Sequence, residues 1–277
     1  MFASSGDDYL HPSVHCLNFS PIRYTLPLAA LLLLLVSCRQ PAGSAGNSIS
    51  PKDLPSDPAT RHLVAEALEA AGGLPGWESW NDLRFDKTYT LYHEDGREEQ
   101  TVTERHHYRR QPPLVVIRSR ENDELTITRW SEGQYEVTFQ GKERSVDSAA
   151  LTRSINAARY AVSMPFGLAD PVATIKGSGA DTLPDGSVVD VLAVSYPAAG
   201  PNQTDSEPWR YGISRTTKRI AAAWVTSSDH ANLITNDTYV TAGGLLFNGR
   251  RTSYRVDSMG RILYRRASYV YRNYQVD

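Results

Sequence analysis

Leu83-Arg84-Phe85-Asp86-Lys87-Thr88-Tyr89-Thr90-Leu91-Tyr92 decides the fold class. Leu83, Phe85, Tyr89 and Leu91 alternate with Arg84, Asp86, Thr88 and Thr90, the period-two pattern of a half-buried strand. Glu94-Asp95-Gly96-Arg97 follows, and Asp-Gly tolerates the positive φ of a hairpin turn. The segments near 98–108, 113–119, 124–130 and 134–140 continue the meander. Leu114 to Ile117 is apolar on both faces and should be covered on both sides.

Two helices interrupt the strands. Before the meander, Leu63, Val64, Ala67, Leu68 and Ala71 share one face at helical spacing over residues 58–71. Asp57 fits the N-cap and Pro58 the first turn; Gly72-Gly73 should end the helix, with Trp77 and Trp80 near a strand entrance. After the meander, Leu151, Ile155, Ala158 and Val162 predict a second helix over 147–163, followed by the apolar connector Met164-Pro165-Phe166-Gly167-Leu168. Strands resume near 172–178, 187–196, 208–214, 220–226, 236–241, 250–257 and 261–273. Asp185-Gly186 and Met259-Gly260 mark turns, and Pro197 to Pro208 is a polar loop. No repeat of 20–50 residues is present, which excludes a solenoid or propeller. The expected class is mainly β with two helices: a strongly curved antiparallel sheet, an open half-barrel, with the helices on its concave face.

The first 58 residues are of another kind. Arg23 precedes an unbroken apolar run, Leu28 to Val36, that ends Leu35-Val36-Ser37-Cys38. A positive residue, a short apolar stretch and small residues at the cut make an export signal; a stable bilayer-crossing helix needs about 20 apolar residues. Leu35-Val36-Ser37-Cys38 resembles the bacterial lipobox, which implies diacylglycerol on the Cys38 thiol and a palmitate-type acyl chain at the new N-terminus. A plain secretory signal with an incidental cysteine is the competing reading. Cys16, the other cysteine, lies in the part that would be removed, so the mature chain cannot form an internal disulfide. Residues 39–58, rich in Pro, Ser, Gly and Asn, read as a flexible tether. The expected organisation is therefore 1–37 signal peptide, 38–58 lipidated tether and 59–277 one β-domain. Residues 1–20 are a long lead-in with Asp7 and Asp8, which points to a start codon nearer Arg23.

After residue 37 the chain keeps 28 basic and 29 acidic residues, so it lacks the basic excess of a general nucleic-acid binder. The order of elements resembles the lipoprotein-carrier superfamily (LolA-like and LolB-like proteins) or a related lipoprotein domain family. The early helix ending Ala71-Gly72-Gly73, the Trp80-to-Tyr92 strand, the helix before Met164-Pro165-Phe166 and Leu183-Pro184-Asp185-Gly186 before a Val-rich strand carry the resemblance. It implies an open half-barrel with an apolar groove. Arg39 is not the acidic residue that retains some lipoproteins at the inner membrane, which by resemblance tilts the location to the periplasmic face of the outer membrane.

No catalytic constellation stands out. His106 and His107 are adjacent on a strand and point to opposite faces, so they cannot chelate one ion; no helical His pair or Cys cluster points to zinc or another cofactor. Gly-x-Ser-x-Gly is absent. Ser227, Ser228, Asp229 and His230 read as a polar turn, Glu98-Glu99 as a solvated strand end, and Gly177-Ser178-Gly179 lacks the helix and lysine of a phosphate loop. The C-terminal strands interleave Arg250, Arg251, Arg255, Arg261, Arg265, Arg266 and Arg272 with Tyr254, Tyr264, Tyr269, Tyr271 and Tyr274. They read first as an outward sheet face, with lipid headgroups or nucleic acid as lesser alternatives. Leu245, Leu246 and Phe247, between glycines, either cap the core or form an apolar loop inserting among acyl chains; the first is preferred.

The leading expectation is a non-enzymatic, lipid-anchored envelope protein that binds an acyl chain, lipid or lipoprotein in an apolar groove, with Phe85, Tyr89, Leu91, Tyr135, Val137 and Phe139 as candidate lining. A cell-envelope interaction or scaffold module is second and a hydrolase third. A groove left open by Leu151, Ile155 and Val162 favours the lipid reading, and a filled one favours the scaffold.

Overall fold

The computed structural model describes residues 57–195, 209–226 and 230–277. The export signal, Cys38, the tether as far as residue 56, the loop 197–208 and Ser227, Ser228 and Asp229 lie outside the described residues.

The period-two segments form one antiparallel sheet of thirteen strands. The first six are β1 (Asp82–Tyr92), β2 (Glu98–Arg109), β3 (Leu114–Glu121), β4 (Glu124–Ser131), β5 (Gln134–Phe139) and the two-residue β6 (Lys142–Glu143). The next four are β7 (Thr174–Thr182), β8 (Val188–Ser195), β9 (Trp209–Ser214) and β10 (Ile220–Thr226). Last come β11 (Ala231–Ala242), β12 (Leu245–Val256) and β13 (Ile262–Val276). The sheet is two meanders joined at the middle: β1 to β6 runs outward to one edge, β7 to β13 returns from the other, and β13 pairs with β1. The edges β6 and β7 do not pair, so the sheet is open. As their apolar pattern requires, Leu114 to Ile117 are all buried.

α1 (Pro58–Ala70) starts as its sequence dictates: the Asp57 carboxylate accepts from the N–H groups of Ala59 and Thr60. It buries Val64, Ala67 and Leu68. It stops at Gly72, whose φ of +106° suits glycine and where a Cβ would stand 2.4 Å from the Gly244 carbonyl oxygen. That close approach lets the Leu246 N–H donate to the Ala71 carbonyl (2.9 Å) and ties the helix end to β12. The chain does not pass straight into a strand. Gly73–Ser79 forms a further short helix, α2, with Pro75 in its first turn, where its missing N–H costs nothing. The described residues thus hold three α-helices rather than two.

α3 (Ser148–Ser163) carries the chain from the first meander toward the second, followed by a buried 3-10 turn, Phe166–Ala169. Its contacts fall on both meanders. The Tyr135 and Thr152 hydroxyls are 2.7 Å apart. The Arg159 guanidinium sits 4.5 Å from the centre of the Trp130 ring, and the Tyr160 ring 4.4 Å from that of Trp209. Asn248 Nδ2 donates to the Ala161 carbonyl (2.9 Å).

The main core lies between the helices and one sheet face, with Val64, Leu83, Phe85, Ile155, Leu192, Tyr211, Leu245 and Phe247 among its members. On the opposite face Leu183, Val189, Val191, Ala222, Leu233 and Val256 form a smaller cluster.

At 243–249 the structure supports the preferred capping reading over the inserting loop. Gly243-Gly244 is a tight turn and Leu245 opens β12. Leu245 is fully buried and Phe247 is 2 % exposed, with its ring stacked on Tyr274. Burial in the protein's own core gives these side chains about 1.5–3 kcal/mol each, the same gain a membrane would offer, so they cap the core.

Candidate functional site

Strand register defines the helix-facing surface row by row, because directly opposed residues of antiparallel strands point the same way. Nearest α3, Tyr135, Trp130, Val115, Tyr108, Leu83 and Val276 make the first row. Val137, Thr128, Ile117, His106 and Phe85 make the second. The third is polar: Phe139, Thr126, Ser119, Glu104, Lys87 and Tyr271. The fourth runs Val102, Tyr89, Tyr269, Arg251 and Asn236. The fifth crosses most of the sheet from Leu91 through Ala267, Ser253, Ile234, Ala223 and Tyr211 to Leu192.

All six candidate groove residues, Phe85, Tyr89, Leu91, Tyr135, Val137 and Phe139, therefore lie on this one face, in different rows. Phe85 and Val137 are buried and the other four half-buried. Phe85 belongs to the core, stacked on the His106 ring at 4.6 Å. Tyr135 and Val137, with Leu151 and Thr152 of α3, line an open cleft of about 840 Å³ between β5 and the helix. Ile155 and Val162, by contrast, are buried members of the core. A second cleft, about 500 Å³, opens among Arg105, Arg118, Arg120 and Arg272, where Arg105 bonds Asp86.

Rows two and three hold a buried polar chain. Lys87 Nζ donates to Glu104 Oε2 at 2.8 Å. An ionised carboxylate only accepts, so His106 Nε2–H donates to the same oxygen (2.9 Å) and the Tyr108 hydroxyl donates to His106 Nδ1 (2.8 Å). Burial alone would raise the Glu104 pKa; the Lys87 charge and the His106 hydrogen bond overcome it and hold the carboxyl at about 2. Burial holds the His106 imidazole below its usual value, against the pull of Glu104. Burial opposes the Lys87 charge as well, but Glu104 raises its pKa above the ordinary range. The chain is electrostatically closed: each member has a partner.

Arg251 is not so provided. It lies half-buried in row four, with Nε buried and unbonded. The Ser253 hydroxyl, Asn236 Oδ1 and Tyr211 hydroxyl, all in rows four and five, are likewise buried without a hydrogen-bond partner. Burial raises the Tyr211 pKa well above the usual value, with the Arg251 charge acting against it.

The sequence missed Lys87, Glu104 and Arg251 as inward groups, although parity marked Lys87: it stands between Phe85 and Tyr89 in the inward series. The outward reading of the Arg- and Tyr-rich C-terminal strands is corrected for Arg251, Tyr269, Tyr271 and Tyr274. Tyr271 is in the core and Tyr269 and Tyr274 pack on it. Others behave as surface groups: Arg261 pairs with Asp257, Arg266 with Glu99, and Arg265 lies over the Tyr92 ring. His107 points to the opposite face from His106 and bonds Asp82. Among the described residues no group of three or more His, Cys, Asp or Glu is placed to hold a metal ion.

The fold has a solved counterpart. A DUF1329 family protein from Desulfovibrio piger superposes with a TM-score of 0.51 at 8% identity, covering 79% of this chain and 93% of that one. More distant are a domain described as an outer membrane lipoprotein-sorting protein from Vibrio parahaemolyticus and the lipoprotein LppX of Mycobacterium tuberculosis. The first has a TM-score of 0.46 at 9% identity over 78% of this chain and 91% of that one; the second 0.30 at 10% over 79% and 96%. The first likeness is one of fold, and the other two add no argument to it. The mainly β, open antiparallel sheet expected from the order of elements is thereby found in a solved structure. No protein-family model matches the sequence, and no curated protein is similar to it.

Proposed function

We propose that the protein is a lipid-anchored bacterial envelope protein that holds a hydrophobic ligand, an acyl chain or the acyl part of a lipid or lipoprotein, against the helix-facing side of its sheet without catalysis. The cleft of about 840 Å³ between β5 and α3 carries this reading. It has the size of a small-molecule site, and Tyr135, Val137 and Leu151 give it an apolar part. Such a site works by removing apolar surface from water, at about 25 cal/mol per Å², so it needs no reactive side chain.

The reading includes strong curvature, with α3 on the concave side. β4 and β9 stand eight steps apart in the strand order, which in a flat sheet is ~38 Å at about 4.8 Å per step. Yet neighbouring residues of α3 touch both: Arg159 lies on Trp130 of β4 and Tyr160 on Trp209 of β9. Side chains of those lengths bridge at most ~31 Å between the two strand backbones by standard bond lengths. A sheet bent around α3 accounts for both contacts.

A scaffold module is the second reading, favoured by Ile155 and Val162, which are buried in the core. Titration of the full chain with the fluorescent acyl probe 11-(dansylamino)undecanoic acid separates the two. Saturable, blue-shifted emission displaced by oleyl alcohol is expected. Emission that rises linearly, without saturation or displacement, would overturn ligand binding and leave the scaffold.

A further inference from the structure

A buried or half-buried guanidinium without a counter-ion is costly unless something answers it. Among the described residues Arg251 is such a group, with its Nε unbonded. Asn236 and Tyr269 stand directly opposite it on the two neighbouring strands. Glu104, the carboxylate of the adjoining row, is already held by Lys87 and His106. Polar atoms whose hydrogen-bonding capacity is also unused share this face: its own Nε, the Ser253 hydroxyl next along β12 and, three strands away on β9, the Tyr211 hydroxyl. Tyr211 is 1 % exposed and points into the row that adjoins Arg251. Arg251 and Ser253 join a fixed positive charge to a hydroxyl donor, the set that receives a carboxylate or phosphate oxygen. Its surroundings are aromatic and aliphatic: Tyr89, Tyr269, Leu91 and Ala267 occupy the same two rows. A free inorganic anion has no use for such walls, whereas an amphiphile uses both parts.

We infer that Arg251 is the head-group receptor of the proposed ligand, and that the ligand class is an anionic amphiphile whose single carboxylate or phosphate meets Arg251 with Ser253 beside it. This rests on the reading that an acyl chain occupies the helix-facing side of the sheet, and it narrows that reading by charge. Uncharged lipids and cationic ones are excluded as preferred cargo.

Oleate and oleyl alcohol test it, since they share a chain and differ in the charge of the head. Each is titrated into the full chain, its Arg251→Gln variant and its Arg251→Lys variant, with far-UV circular dichroism confirming that the variants fold. Oleate should bind the natural protein roughly tenfold or more tighter than oleyl alcohol. The ratio should fall toward one in Arg251→Gln and recover in Arg251→Lys, which restores the charge. Equal binding of the two ligands by the natural protein, or an undiminished preference in Arg251→Gln, overturns the head-group assignment and leaves the groove standing. Binding of neither ligand overturns the groove and this inference together. Competition by inorganic phosphate as effective as that by oleate overturns the amphiphile and reduces the site to one for a free anion.

Discussion

Glu104 shows how much one inward polar residue can control. Its carboxylate accepts from both Lys87 and His106 inside the sheet face, and its pKa is held at about 2. A carboxyl whose folded pKa is depressed adds stability above its ordinary value of 4.5, and that stability is lost as pH falls from there toward about 2. His106, held below 6.5 by burial, works in the same direction: the unfolded chain takes up its proton first, so folding weakens as pH drops below 6.5. Urea unfolding followed from pH 7 downward should therefore show stability declining in two stages. Glu104→Gln should lose about 3 kcal/mol at pH 7, because it strands the Lys87 charge, and should flatten the lower stage. A variant as stable as the natural chain, or one with the full acid slope, would contradict the network. Lys87 was legible only by parity, and Arg251 was hidden among seven arginines, because charge in a strand sequence does not announce which face it takes. At the other end of the chain, Cys38→Ser should yield a protein whose intact mass lacks the lipid carried by the natural mature form; equal lipid content in both would remove the anchor.

At the scale of elements, the boundaries were set by turns that the sequence only half reveals. Gly72-Gly73 was readable as a helix end, but not as a corner from which α2 restarts, because that depends on Gly244 approaching from β12. Gly72→Ala should cost about 1–3 kcal/mol, since it combines a positive φ with a Cβ 2.4 Å from a backbone oxygen; an unchanged denaturation midpoint would contradict the corner. Likewise Gly243-Gly244 was read inside a loop, though it is the turn that lets β11 and β12 extend to Ala242 and Leu245. If Leu245 caps the core, Leu245→Ala should destabilise by about 2–5 kcal/mol, while Met259→Ala, at a site 69 % exposed, should stay within about 0.5 kcal/mol. Similar costs at the two positions would restore the exposed-loop reading. The long strands and both longer helices were legible because period two and period 3.6 each run through enough residues to be counted. β6 was not, because two residues carry no period.

For the whole molecule, the order of strands was beyond the sequence. Alternation says which residues share a face of one strand, but not that β13 returns to pair with β1, and that pairing makes two meanders one open sheet. The candidate groove residues lie on one face, yet their division between core and cleft depends on where α3 settles. That helix buries Ile155 and Val162 in the core and leaves a cleft at β5, so the face is part core and part opening. A protein of this shape on a tether would work as a holder of amphiphiles close to the membrane that supplies them. Native mass spectrometry of the full chain purified from a bacterial envelope fraction tests this most directly. A population carrying one noncovalent adduct with the mass of an anionic acyl lipid, removed by mild collisional activation and depleted in Arg251→Gln, is expected. A single, lipid-free species from the same envelope fraction would contradict it.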